Sequence, residues 1–159
     1  SQCLLSYDDF NREVSRQNIS NTIDVLLENN YIPIINENDT VATEEIQFGD
    51  NDKLAALTGS LLDADLVIIA TNTNGIYTRD SFDNEDKRTI AKVSDLEKLK
   101  EEIAHGKSSQ GSGGMKSKVQ AAEILQRAGI ETWVVNGLLD NFILKALKEE
   151  VPFTRIVAE

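Results

Sequence analysis

The chain has 159 residues, 40% of them hydrophobic and 27% charged, with 2 prolines and 9 glycines, which describes one folded domain and excludes disordered, collagen-like and mucin-like classes. A domain of this length buries about 68 to 70% of its unfolded surface, so metal or disulfide staples are not needed to explain folding. The 27 acids against 16 bases give a formal net charge of -11, which repels polyphosphate backbones and argues against a nucleic-acid partner.

The longest apolar run, Leu66 to Ala70, falls far short of the roughly 20 residues that cross a bilayer. No secretory signal pattern opens the chain, so a cytoplasmic protein without a membrane partner is expected. The single cysteine, Cys3, cannot form an internal disulfide and has no His or Lys beside it to activate the thiol; it is expected to act as a small apolar side chain.

In chain order, Ser6 stands three residues before Asp9 as a helix start, and Ile19, Ile23, Leu26 and Leu27 share one helical face, so helix is expected through much of Tyr7 to Glu28. Tyr31 to Asn36 is apolar and β-branched with Pro33 near its start, a strand. After a polar loop, Asp50 can cap a helix that buries Leu54, Leu57, Leu61 and Leu62. Leu66 to Thr71 is apolar throughout, as in a parallel strand covered on both faces. Residues 72 to 92 form an excursion in which Ile76-Tyr77 and Thr89-Ile90 can pair as a hairpin. Ser94 and Glu97 fit a capping box opening a short helix that ends near Gly106. A further helix follows Gly114, with Val119, Ala122, Leu125 and Ala128 repeating toward the stop at Gly129. Glu131 to Asn136 is a strand, Asp140 to Lys148 a helix and Phe153 to Val157 a last strand. Trp133, Phe142 and Phe153 are expected in the core. This alternation gives an α/β fold with a largely parallel sheet and no internal domain boundary.

Ligands of open α/β sheets collect beyond the carboxyl ends of strands, which directs attention to the residues after Ile35, Ile69 and Val135. Between Asn36 and Asp52 lie six acids (Glu37, Asp39, Glu44, Glu45, Asp50, Asp52) and no base. Glu44 and Glu45 read as solvated loop acids, whereas Asn36, Asp39, Asn51 and Asp52, at a strand end and a helix start, can hold an ammonium, a carboxylate and a magnesium ion together. Residues 106 to 118 have the opposite sign: Lys107, Lys116 and Lys118 with no acid. Glycines 111, 113 and 114 let the backbone approach an anion, the helix N-terminus offers free N–H groups, and Lys118 is placed within its first turn or so, while Lys116 faces elsewhere. An anion cradle beside an acid and amide cluster points to phosphoryl transfer. The only histidine, His105, is placed at a helix C-terminus, where a surface charge-dipole role is ordinary. One histidine without a cysteine cluster makes no zinc site, and Ser108, Ser109 and Ser112 have no base beside them, which ranks Ser/His hydrolysis low.

These residues resemble the amino acid kinase family, from about Leu4 to Arg155. The segments that carry the resemblance are Ile32-Pro33-Ile34-Ile35-Asn36-Glu37-Asn38-Asp39, Phe48-Gly49-Asp50-Asn51-Asp52, Asn74-Gly75-Ile76-Tyr77-Thr78, Ser112-Gly113-Gly114-Met115 with Lys118, and Arg127-Ala128-Gly129-Ile130. The resemblance implies a three-layer α/β fold with helices on both faces of a mainly parallel sheet, and transfer of the ATP γ-phosphoryl group, with Mg2+, to the glutamate side-chain carboxylate. By the same resemblance Asn36, Asp39 and Asn51 hold the substrate, Asp52 organises the catalytic lysines, and Lys118 stabilises the transferring phosphoryl group. Thr71, Asn72 and the stretch Ser112, Gly113, Gly114, Met115, Lys116, Ser117 and Lys118 match nucleotide-binding segments. A homo-oligomer and a functional link to a reductase acting on glutamyl phosphate are implied as partners.

Two departures stand out. Asn72 occupies a position where the family usually has an acid. Residues 1 to 30 contain neither the strand nor the Gly-Ser phosphate loop, with its second lysine, that open family members, so the chain reads as a partial domain over residues 1–159. No RNA-binding-like C-terminal domain is expected. The alternatives are a binding-only or regulatory fragment of this fold, another member of the family, and a general nucleotide-binding domain, the last giving no reason for the acid and amide cluster.

Overall fold

A computed structural model describes residues 1–40, 51–81, 86–104 and 112–158. The elements run β1 (Gln2–Leu5), α1 (Tyr7–Asn11), α2 (Glu13–Glu28), β2 (Ile34–Glu37), α3 (Asn51–Leu61), β3 (Leu66–Thr71), a single 3-10 turn (Arg79–Ser81), β4 (Lys92–Val93), α4 (Leu96–Ala104), α5 (Ser112–Arg127), β5 (Glu131–Asn136), α6 (Phe142–Leu147) and β6 (Thr154–Ile156). β1 and β2 pair in parallel, Gln2 opposite Ile34. The other strands form a sheet in the order β3-β5-β6-β4. Its β3–β5 and β4–β6 pairs are parallel and its β5–β6 pair antiparallel.

The apolar strands are covered on both faces, as their continuous hydrophobicity requires. Val67 and Ile69 of β3 pack with Ala56 of α3 and Ala121 and Leu125 of α5. Leu66 and Ile68, one residue out of phase, join Trp133, Val135, Phe142, Ala146 and Phe153 on the α6 side. Trp133 and Phe153 lie with ring centroids 4.7 Å apart. Val134 points the opposite way from Trp133, into a cluster with Leu96, Leu99, Val119 and Ala122 of α4 and α5. The β1–β2 pair is covered by α2 and α3 through Leu5, Ile35, Ile19, Ile23 and Leu54. Cys3 is half-buried and free.

Several expectations need correction. Gln2–Leu5 is a strand, so the expectation that none precedes the first helix fails; four residues are too few to show a period, and pairing with β2 supplies the order. No Gly-Ser loop follows it: Ser6 leads directly into α1, with Asp9 Oδ2 accepting its N–H at 2.7 Å and its Oγ–H at 2.8 Å. The expected long first helix is broken at Arg12, which is extended at φ -108 and ψ 120. On one continuous helix, at about 100° per residue, Tyr7 and Phe10 would face roughly opposite to Ile19 and Ile23; the break lets all four enter one cluster. β2 begins after Pro33, which has no N–H for a ladder. α4 is capped by Asp95, whose Oδ1 accepts the Lys98 N–H at 3.0 Å, rather than by Ser94. α6 is shorter than expected because Asn141 and Glu149 adopt positive φ on either side of it.

The 72–92 excursion carries the expected hairpin contact, Tyr77 opposite Thr89, with Ile90 N donating to Ile76 O at 2.7 Å. Gly75 at φ +99 makes its turn possible: a Cβ there would lie 2.6 Å from Thr154 Oγ1. Gly49, Asp50, Glu44, Glu45, His105, Gly106, Lys107, Ser108, Ser109 and Gly111 lie outside the described residues.

Candidate active site

α3 and α5 lie side by side over β3. Gly59 of α3 permits the close approach, since a Cβ there would sit 2.7 Å from Val67 Cγ2 and 3.3 Å from Leu125 Cδ2. This packing brings the N-terminal turn of α3 to the early turns of α5. Asp52 is the second residue of α3, where a carboxylate is favoured by the free N–H groups and the helix dipole. Its Oδ2 accepts Lys118 Nζ at 2.9 Å and Ser117 Oγ at 2.8 Å. Both charged side chains are largely withdrawn from solvent, 15% exposed for Lys118 and 18% for Asp52. An ion pair in that setting is screened less than a surface pair and is shortened and aligned by its hydrogen bonds. Lys116 is exposed, on another face of the helix.

Lys118, expected within the first turn or so of a helix after Gly114, is the seventh residue of α5 and lies in its second turn because the helix already opens at Ser112. The dipole acts mainly within the first turn, so the counter-charge that explains this lysine is Asp52 rather than a bound anion alone. Gly113 and Gly114 do stand in the first turn, where backbone N–H groups have no helical acceptor. Ser112 opens the helix, and Met115, half-buried, packs against the Val119 cluster.

The acid and amide residues split into two places. Asn36 lies in β2, opposite Leu4, and is exposed, as are Asp39 in the turn that follows and Asn51 at the first position of α3. Asn38 closes the strand end, its N–H donating to Leu5 O at 2.8 Å and its Oδ1 accepting Thr40 Oγ1 at 2.6 Å. Asp39 and Asn51 stand on either side of residues 41–50, which are outside the described residues.

A second cluster closes the carboxyl ends of β3 and β5. Thr71 and Asn136 are register partners. Gly137 N donates to Thr71 O at 2.8 Å, and Asn136 Nδ2 donates to Asn74 Oδ1 at 2.8 Å while its Oδ1 accepts the Leu138 N–H at 3.0 Å. Asn74 is held further by Tyr77 Oη and Thr89 Oγ1. Asn72 is exposed at the head of this loop. The sequence reading passed over Asn136 and Asn74 as a pair. The available signal was an amide at the end of an apolar parallel strand, the same signal that singled out Asn36. Among the described residues no group of three or more His, Cys, Asp or Glu is placed to hold a metal ion. No helix among them is long and apolar enough to cross a membrane.

Glycines at the start of α5 with an aspartate-held lysine one turn on suit the handling of a phosphoryl group, and residues 1–136 match the amino acid kinase family. The chain belongs to that family. Among its relatives, it is 41% identical over 157 residues to glutamate 5-kinase 2 of Pseudoalteromonas translucida, covering 98% of this chain and 43% of that protein. It is 42% identical over 149 residues to glutamate 5-kinase of Alkaliphilus metalliredigens, covering 93% and 56%. The chain thus spans about half the length of these curated relatives. The fold also matches carbamate kinase from Giardia lamblia bound to AMP-PNP, with a TM-score of 0.63 and 22% identity over 88% of this chain and 49% of that one.

Proposed function

We propose that the chain is the phosphoryl-transfer portion of a glutamate 5-kinase, which moves the γ-phosphoryl group of ATP to the glutamate side-chain carboxylate and so opens proline biosynthesis. The observation that carries the reading is the Asp52–Lys118 pair at the meeting of α3 and α5, in a chain about 40% identical to glutamate 5-kinases. In such transfers the protein mainly positions the reactants and neutralises charge spread over the transferring oxygens. Lys118 supplies that charge, with the N–H groups of Gly113 and Gly114 beside it, and Asp52 holds the lysine in place. Thr71, fastened to the end of β5 through its pairing with Asn136 and the Gly137 N–H, and the exposed Asn72 after it border the nucleotide. Asn72 keeps the shape of the usual acid there but not its charge, so its contact is a hydrogen bond without an ionic part.

Asn36, Asp39 and Asn51 take the glutamate: Asp39 pairs with the ammonium, and the two amides bond its carboxylate oxygens. A magnesium ion bound to the nucleotide phosphates would lower their charge. With Asp52 engaged by Lys118 and Ser117, no group of acids among the described residues fits the ion. By the same family resemblance we infer a cytoplasmic homo-oligomer whose product passes to a reductase; a monomer by light scattering at micromolar concentration would refute the association.

The test is steady-state ADP release. ADP release requires glutamate, and Asp39→Ala raises the apparent glutamate KM by about tenfold or more, as expected for loss of a charged contact, with the ATP KM little changed. Release independent of glutamate, or equal shifts in both constants, refutes the assignment.

A further inference from the structure

Ser117 precedes Lys118 on α5, and its hydroxyl donates to the same Asp52 oxygen that accepts the lysine. Resemblance places Ser117 among nucleotide contacts; the geometry gives it different work. A serine hydroxyl has a single hydrogen. In a helix it commonly returns that hydrogen to the carbonyl one turn back, but here it crosses to α3. Serine is also a poorer helix former than alanine, so local propensity does not explain it.

The terminal torsion of an aspartate is broad, and a lysine has a flexible four-carbon stem. A lone ion pair between them fixes neither group well. Two donors on consecutive residues of one helix, both on Oδ2, convert a one-point contact into a clamp. We propose that Ser117 is a positioning residue: its hydroxyl sets the Asp52 carboxylate, through which the Lys118 ammonium is aimed. This inference rests on the phosphoryl-transfer reading above for its effect on rate, but not for its effect on Lys118 itself.

The test compares Ser117→Ala and Ser117→Thr with the unsubstituted protein. Loss of one charge-assisted hydrogen bond in the aiming of a transition-state group lowers kcat about tenfold. Glutamate and ATP KM values stay within about twofold, as for an interaction felt mainly in the transition state, and threonine, which keeps the hydroxyl, restores most of the rate. A rise in ATP KM at constant kcat would make Ser117 a nucleotide contact and overturn the proposal, as would failure of threonine to rescue. Independently of turnover, acylation of Lys118 by an N-hydroxysuccinimide ester is read by peptide mass spectrometry against the exposed Lys148. Ser117→Ala speeds Lys118 labelling severalfold and Ser117→Thr does not; equal labelling in all three overturns the proposal. If the unsubstituted protein shows no glutamate-dependent turnover, the kinase reading fails, and the labelling result still decides the role of Ser117.

Discussion

At the residue scale the proposed chemistry rests on one largely buried ion pair. Lys118 and Asp52 are 66 positions apart. Each was visible in the sequence by itself, the lysine from a glycine-rich, acid-free stretch and the aspartate from a helix start. Their pairing was implied only by the family resemblance and not by spacing or composition, because it depends on how α3 packs against α5 and β3, where Gly59 faces Val67 and Leu125. For Lys118 the sequence alone suggests a bound anion as the compensating charge, whereas in the structure Asp52 supplies it. The Asn136–Asn74 bond was missed for the same reason: it joins residues 62 apart whose amides gave no signal until the strand ends were aligned. Removing a preorganised cation aimed at developing charge typically lowers kcat about 10² or more. Lys118→Ala is expected to show that loss with the glutamate KM nearly unchanged; a near-normal kcat would return the lysine to a structural clamp between helices.

At the element scale, long apolar segments declared themselves and short ones did not. β3 and β5 have the bounds expected, because a continuous apolar or β-branched run between turn signals, all six residues of β3 and Thr132 to Val135 of β5, fits a covered parallel strand. β1 and β4, of four and two residues, carry no readable period and are ordered by their partners. The helices α4 and α5, which flank the basic stretch, are tied by Lys100, whose Nζ lies 2.8 Å from Glu123 and 2.8 Å from Glu97. The bond to Glu123, and then that to Glu97, holds the Lys100 ammonium above its usual pKa. The bond from Lys100 holds the Glu123 carboxyl below the usual carboxylate range. A depressed carboxylate contributes stability above its unfolded pKa that disappears as pH falls through its folded value; a raised lysine contributes stability that disappears as pH rises through its folded value. Both groups are partly exposed, so the contribution is small. The melting temperature of Glu123→Gln is therefore expected to lie below that of the unsubstituted protein near neutrality and to converge with it in acid. A gap that persists unchanged below the carboxylate range would contradict this account.

At the scale of the whole molecule, alternating strands and helices were enough to expect an α/β fold with a mainly parallel sheet, and this is the fold observed. The separation into a two-stranded and a four-stranded sheet, and the antiparallel entry of β6, were not legible, since strand order depends on long-range pairing rather than on local pattern. The net charge of -11 coexists with a short acid-free, lysine-bearing stretch over residues 106–118. The central claim is that this arrangement makes an acyl phosphate on glutamate. It is tested most directly by incubating the protein with ATP, magnesium and glutamate in hydroxylamine, which converts an acyl phosphate to a hydroxamate. The account predicts one γ-glutamyl hydroxamate for each ADP released, and none without glutamate; ADP formed without hydroxamate would contradict it.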